Sequence, residues 1–210
     1  MFTDGLIFDL DGTLWDASAA CIIAWNNSLH QLGADQIRVD EKMVAGFSGR
    51  LLDDILSVHF KNIRPDQHTE FIKLYAIEEA AQMRALGGSL YPGTRDTLEK
   101  LGLEFPLFIV SNCQKGYIEN FLHQHQLTSL FKDFESSGNT GLPKKENIRF
   151  LIQRNALAKP VYIGDTSGDD EASRWNRIPF IYASYGFGTV IHPAFEIKEP
   201  GDLIALVSSS

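Results

Sequence analysis

Three apolar runs end in the same way, and that repetition restricts the fold more than any other feature of the chain. Gly5 to Phe8, Phe105 to Val110 and Pro160 to Ile163 are rich in Ile, Val and Phe, and each reads as a buried strand. The first runs into Asp9-Leu10-Asp11-Gly12-Thr13, the second into Ser111-Asn112, and the third into Gly164-Asp165-Thr166-Ser167-Gly168-Asp169-Asp170. Helical patterns follow the latter two, over Gly116 to Gln126 and Glu171 to Trp175. Strands alternating with helices predict an α/β fold with a doubly wound parallel sheet, to which a fourth apolar stretch, Ile178 to Ala183, adds a strand. Such sheets bind ligands beyond the carboxyl ends of their strands, which is where all three polar clusters would lie.

One connection is far too long for a simple crossover. From Trp15 to about Glu104 the chain makes no quick return to the sheet, although a crossover helix needs only about a dozen residues. Ser18 to Leu32 and Asp66 to Leu86 carry apolar residues at helical spacing, so the insertion is expected to be all-helical. It leaves through Gly87-Gly88-Ser89-Leu90-Tyr91-Pro92-Gly93-Thr94, a stretch of turn residues before a helix that begins near Thr94. The expected organisation is a core of residues 1–15 and 88–210 with a helical cap over 16–87, hinged above the polar clusters.

Composition narrows the function. The formal net charge of −8 argues against a nucleic-acid or anionic-membrane surface, since both need a basic patch. Cys21 and Cys113 have no zinc or redox spacing, which makes a reducing cytoplasm the expected compartment and both thiols inert. No signal-like start and no apolar run of membrane-spanning length is present, and the terminal Ser208-Ser209-Ser210 reads as a solvated end. No repeat or coiled-coil pattern appears, so a monomer is expected.

Asp9 and Asp11 flank Leu10, so in an extended strand they project to one side and repel each other. With Asp165 and Asp169 expected at the same sheet edge, the donors are all oxygens, a set that suits a hard cation such as magnesium. A carboxylate can also act as a nucleophile, while a second carboxyl two residues on delivers a proton to the leaving oxygen and later activates water. Gly12 permits a sharp turn that Thr13 is expected to hold by a local hydrogen bond. Phosphoryl transfer further needs donors for the equatorial oxygens, which Ser111, nearby backbone amides and a lysine would supply.

Together, Asp9 to Thr13, Ser111-Asn112, a lysine within Gly141-Leu142-Pro143-Lys144-Lys145-Glu146-Asn147-Ile148, and Gly164-Asp165 through Asp169 resemble the four ordered motifs of the haloacid dehalogenase superfamily. The helical insertion and Leu90-Tyr91-Pro92-Gly93-Thr94 resemble its phosphoglycolate phosphatase-like branch. The resemblance implies a magnesium-dependent phosphatase acting on a small phosphorylated metabolite, phosphoglycolate-like or a sugar phosphate, through an aspartyl phosphate. It further implies Asp9 as nucleophile and metal ligand, and Asp11 as general acid and base with its main-chain carbonyl on the metal. Asp165 becomes the third metal ligand, and Asp169, rather than Asp170, orients the metal-bound water or the lysine. Ser111 and Asn112 would bind the phosphoryl group, with Lys144 rather than Lys145 neutralising it.

Within the cap, Gly46-Phe47-Ser48-Gly49-Arg50 offers Arg50 as a cation for a distal substrate group, against a plain helix-connecting loop. Gln114 and Lys115 lie just beyond the second motif, and Trp15, Trp25 and Trp175 are expected in the core more than in a cleft. The rival readings are a phosphomutase resembling β-phosphoglucomutase and a noncatalytic phospholigand sensor. A dehalogenase would not need the acid at Asp11.

Overall fold

The computed structural model describes residues 2–207; the terminal serines lie outside them. In chain order the elements are β1 (Gly5–Phe8), β2 (Trp15–Asp16), α1 (Ser18–Gln31), α2 (Glu41–Phe47), α3 (Leu52–His59), α4 (Pro65–Ala85) and β3 (Ser89–Leu90). They continue as α5 (Thr94–Gly102), β4 (Leu107–Ser111), α6 (Tyr117–Gln124), β5 (Phe131–Ser136), α7 (Ser137–Thr140) and α8 (Lys144–Arg154). Last come β6 (Pro160–Gly164), α9 (Ser167–Asn176), β7 (Phe180–Ala183), β8 (Glu196–Ile197) and α10 (Asp202–Val207).

A six-stranded sheet in the order β5-β4-β1-β6-β7-β8 forms the centre, every pairing parallel. In β1, Leu6 and Phe8 enter one apolar cluster and Ile7 the other, as the two-residue period of a strand requires. Helices α5, α6 and α10 cover the first face through Leu98, Phe121 and Leu203. Ile148 and Leu151 of α8, with Ala172 of α9, cover the second. Strands buried on both faces read as unbroken apolar runs, which is why they stand out in the sequence. Phe8 is level with Ile109 on one side and Ile163 on the other, so β4, β1 and β6 deliver their last residues to a common edge.

Two strands of the six-stranded sheet escaped the sequence reading. Phe131–Ser136 carries Lys132, Asp133 and Glu135 because β5 is an edge strand, where Arg154 pairs with both acids. The two residues of β8 are too short for a periodic signal. Helix α9 also begins earlier than the expected Glu171, because Thr166 caps it through a reciprocal bond with Asp169.

Helices α1 to α4 pack around a separate apolar cluster drawn from residues 24–75. Trp25 lies at its heart, stacked on Phe60 at 5.0 Å with an interplanar angle of 8°, and ringed by Phe47, Phe71 and Tyr75. The chain enters and leaves this segment through β2 and β3, a two-stranded antiparallel ribbon pairing Trp15 with Leu90 and Asp16 with Ser89. Trp15 is buried as expected, whereas Trp175 is exposed and stacks under Lys145 and Arg149. The expected connecting loop also shortens, since Gly46 and Phe47 close α2. Truncating Trp25 to alanine empties the centre of this cluster, and the expected loss is about 3–5 kcal/mol, read from urea unfolding of the purified protein.

Candidate active site

Strand β1 ends at Phe8, and the following residues do not continue it. The amide of Leu14 returns to the carbonyl of Leu10 at 2.9 Å, and Gly12 sits at φ +83°. The turn sends the two acids of Asp-Leu-Asp to different partners, so the repulsion expected of an extended pair is relieved by geometry. A β-carbon at Gly12 would stand 2.2 Å from Asp165 Oδ2, and one at Gly186 would stand 2.3 Å from the Gly12 carbonyl. Only bare backbone fits between these loops.

Asp9 is 2% exposed and faces Lys144, whose Nζ lies 2.9 Å from Asp9 Oδ1 and 2.6 Å from Asp169 Oδ1. The contact with Asp9 is an ion pair without hydrogen-bond alignment, and Asp9 Oδ1 is left buried with no hydrogen-bond donor. Carboxylate oxygens of Asp9, Asp165 and Asp169 fall within 4.8 Å of one another. Burial pushes the Asp9 carboxyl well up; Lys144 opposes the rise, and the charges of Asp169 and Asp165 add to it. Asp165 is likewise raised to about 7, by burial and then by Asp169. For Lys144, burial disfavours the ammonium, but Asp169 and Asp9 outweigh it and hold the group above the ordinary lysine range.

Three buried carboxylates therefore face one cation. A hard divalent ion fits this donor set and would reverse the rise at Asp9 and Asp165. The protein uses the three acids unequally. Both oxygens of Asp169 are engaged, Oδ1 by Lys144 and Oδ2 by the Thr166 amide at 2.9 Å and hydroxyl at 2.7 Å. Asp165 Oδ2 accepts from the amides of Phe187 and Gly188 at 2.8 and 3.3 Å, while Thr13 Oγ1 donates to Oδ1 at 3.3 Å. Thr13 thus reaches across to β6 instead of holding its own turn.

Asp11 lies apart from that cluster. Its Oδ1 accepts from Trp15 Nε1 at 2.9 Å and from the Tyr117 hydroxyl at 2.7 Å. Burial raises its carboxyl to about 6, and these two bonds hold back a larger rise. Ser111 is buried at the end of β4. Asn112 accepts from Ser137 Oγ at 2.7 Å and donates to the Gly49 carbonyl at 2.8 Å, tying the α2–α3 loop to the core. Lys144 is buried among the acids; Lys145 is exposed over Trp175, and Asp170 pairs with Arg174 on the surface.

A cleft of about 110 Å³ joins these groups to the helical segment. Asp9, Asp11, Ser111, Asn112 and Gln114 line its floor, and Trp25, Phe47, Tyr75 and Glu79 line its roof. Arg50 lines the cleft but is exposed; Lys115 does not line it. Both cysteines line it as free thiols, pushed well up by burial. Sequence reasoning missed Tyr117, Glu79, Thr166 and the Phe187-Gly188 amides. The alternating glycines of Tyr185-Gly186-Phe187-Gly188 after the fourth apolar run were a readable sign of a close-approach loop. Nothing local marks Tyr117 or Glu79.

The family model for haloacid dehalogenase-like hydrolases matches residues 6–183. The chain belongs to the haloacid dehalogenase-like hydrolase family. It is 28% identical over 194 residues to a phosphoglycolate phosphatase of Aliivibrio fischeri, covering 87% of this chain and 84% of the relative. A phosphoglycolate phosphatase of Aquifex aeolicus is 26% identical over 214 residues, covering 97% and 96% of the two chains. In structure, a haloacid dehalogenase-like family hydrolase of Streptococcus pneumoniae superposes with a TM-score of 0.85 at 24% identity, covering 98% of each chain. That likeness shows the family's α/β fold. Among the described residues no helix is long and apolar enough to cross a membrane.

Burial raises Glu79 to about 8, with the charge of Asp11 adding to the rise and a hydrogen bond from Tyr75 opposing it. Between its unfolded value near 4.5 and about 8, the folded chain holds a proton here that the unfolded chain has released. This site's stabilisation is therefore full below about pH 4.5 and lost as pH climbs through about 8. Glu79→Gln removes the titration, and urea midpoints measured across that range should fall less steeply with pH in the variant than in the parent.

Proposed function

We propose that this family member is a phosphatase that hydrolyses a small phosphorylated metabolite through a phosphorylated Asp9. One observation carries the reading: a single cleft holds two buried carboxyls with different partners, an ammonium for one and neutral donors for the other. Asp9 has a buried oxygen lacking a hydrogen-bond donor beside an ammonium. Asp11 is fixed by two donors and raised to about 6. Burial raises both carboxyls, but Asp9 has an ammonium 2.9 Å away to favour the charged form a nucleophile needs, while Asp11 is held by neutral donors, as suits a general acid. The phosphoglycolate phosphatases to which the chain is similar support the reading.

In this reaction Asp9 attacks phosphorus, and the bond to the ester oxygen breaks as Asp11 gives that oxygen its proton. The same Asp11 carboxylate then takes a proton from water, which attacks phosphorus and frees Asp9 and inorganic phosphate. Lys144 neutralises Asp9 in the ground state and the phosphoryl oxygens as charge spreads onto them, and the Ser111 hydroxyl donates to the same oxygens. Trp15 and Tyr117 aim the Asp11 carboxyl, while Asp169 and Thr166 fix the Lys144 ammonium. Asp9, Asp165 and the Asp11 main-chain carbonyl would hold magnesium, which would supply positive charge against the phosphate dianion. The roof of aromatic and aliphatic side chains keeps bulk water away.

Turnover of p-nitrophenyl phosphate tests this directly. Asp9→Asn should lower kcat by at least about a thousandfold, and chelation of magnesium should abolish turnover reversibly. Full activity in either case would refute the assignment.

A further inference from the structure

Helix α4 carries two adjacent glutamates with opposite fates. Glu78 faces outward and accepts from Asn27 and Gln31 at 3.0 and 2.6 Å. Glu79 turns inward, is 7% exposed, and lines the cleft roof above Asp11. Its hydrogen-bonding neighbour is the Tyr75 hydroxyl, one helical turn earlier, and no basic side chain acts on it. The rest of the roof is largely apolar, including Trp25, Val44, Phe47, Leu52 and Ile55. A carboxyl kept among such residues without a cation costs stability that a leucine would not. A ligand that brings its own donor into the cleft offsets that cost.

Building on the phosphatase reading, we propose that Glu79 is the specificity-determining residue of the cleft. It accepts a hydrogen bond from a leaving group bearing a hydroxyl or ammonium close to the ester oxygen, and it disfavours one ending in a carboxylate. The walls around the leaving group contain Glu79 and Asp11 as acids and the hydroxyls of Ser18, Tyr75 and Tyr117. An anionic end placed there is taken out of water with no cation on the roof to pair with it. Among the described residues Arg50 is the one basic residue lining the cleft; it is exposed and also borders the neighbouring cavity beside Thr166, Gly168 and Thr189. Its place at the mouth suits attraction of the incoming dianion, and it leaves the roof above Asp11 without a cation.

The experiment compares kcat/KM for glycerol 1-phosphate, ethanolamine phosphate and 2-phosphoglycolate in the magnesium-loaded protein and in Glu79→Gln and Glu79→Met. The unaltered protein should favour at least one of the donor-bearing substrates over 2-phosphoglycolate by about tenfold or more, and Glu79→Met should cut that ratio by about tenfold. Glu79→Gln keeps an acceptor but cannot ionise beside a bound ammonium, so it should retain the glycerol phosphate preference and lower the ethanolamine phosphate preference. A preference for either donor supports the proposal and identifies the group recognised. The assignment is overturned if the unaltered protein prefers 2-phosphoglycolate, or if both variants slow all three substrates by one common factor. Turnover of p-nitrophenyl phosphate, which carries no such donor, separates the two levels: if it persists while the ratios disagree, Glu79 alone is misassigned. If the unaltered protein hydrolyses no phosphate ester with magnesium, the phosphatase reading falls, and this inference with it. Circular dichroism melts confirm that each variant is folded before its ratios are read.

Discussion

The unbalanced charge at the sheet edge organises everything around it. Asp9, Asp165 and Asp169 are buried together against the single ammonium of Lys144. Such a group survives only because its oxygens are shared out among fixed donors: Thr166 and Lys144 for Asp169, two loop amides and Thr13 for Asp165. Those donors come from distant stretches of sequence, so the acids bind the loops after β1, β6 and β7 and the start of α8 into one unit. Glycines make the approach possible, since a β-carbon at Gly12, Gly164 or Gly186 would fall within 2.6 Å of a neighbouring heavy atom.

The same edge separates two chemistries within three residues. Asp9 belongs to the charged cluster, and Asp11 belongs to the boundary between sheet and helical segment, where Trp15 and Tyr117 hold it. Trp15 also packs edge-on against Tyr117 and Phe121, so the indole that aims Asp11 is itself clamped by α6. The cleft roof brings a third kind of acid, Glu79, shielded from water and from cations. Position, more than residue type, sets what each carboxyl can do.

Much of this was legible in the sequence because burial on both faces writes an unbroken apolar run, and β1, β4, β6 and β7 are such runs. The ends of the first three carry polar clusters, so Asp9, Ser111 and Asp165 could be named before their contacts were seen, whereas Lys144, at the start of α8, was named only through the motif resemblance. Strand β5 was hidden because an edge strand tolerates Lys132, Asp133 and Glu135. Tyr117 and Glu79 were hidden for a different reason: each is an ordinary helix residue locally, and only the packing of α6 and α4 over the cleft gives it a role. The turn at Gly12 reversed a local expectation as well, since the twin acids of a straight strand would share a side and these do not.

The short ladder of β2 and β3 carries a consequence for how such a molecule can vary. Trp15 opposite Leu90 and Asp16 opposite Ser89 mean that the path out to the helices and the path back run side by side. Paired antiparallel backbones lie only about 5 Å apart. The sheet therefore senses the excursion as a pair of neighbouring ends, whatever their contents. Helices of another length or number, grafted onto the same two ends, would leave the strand register and the acids untouched while remaking the roof, which is a structural route by which one reaction centre acquires new selectivities.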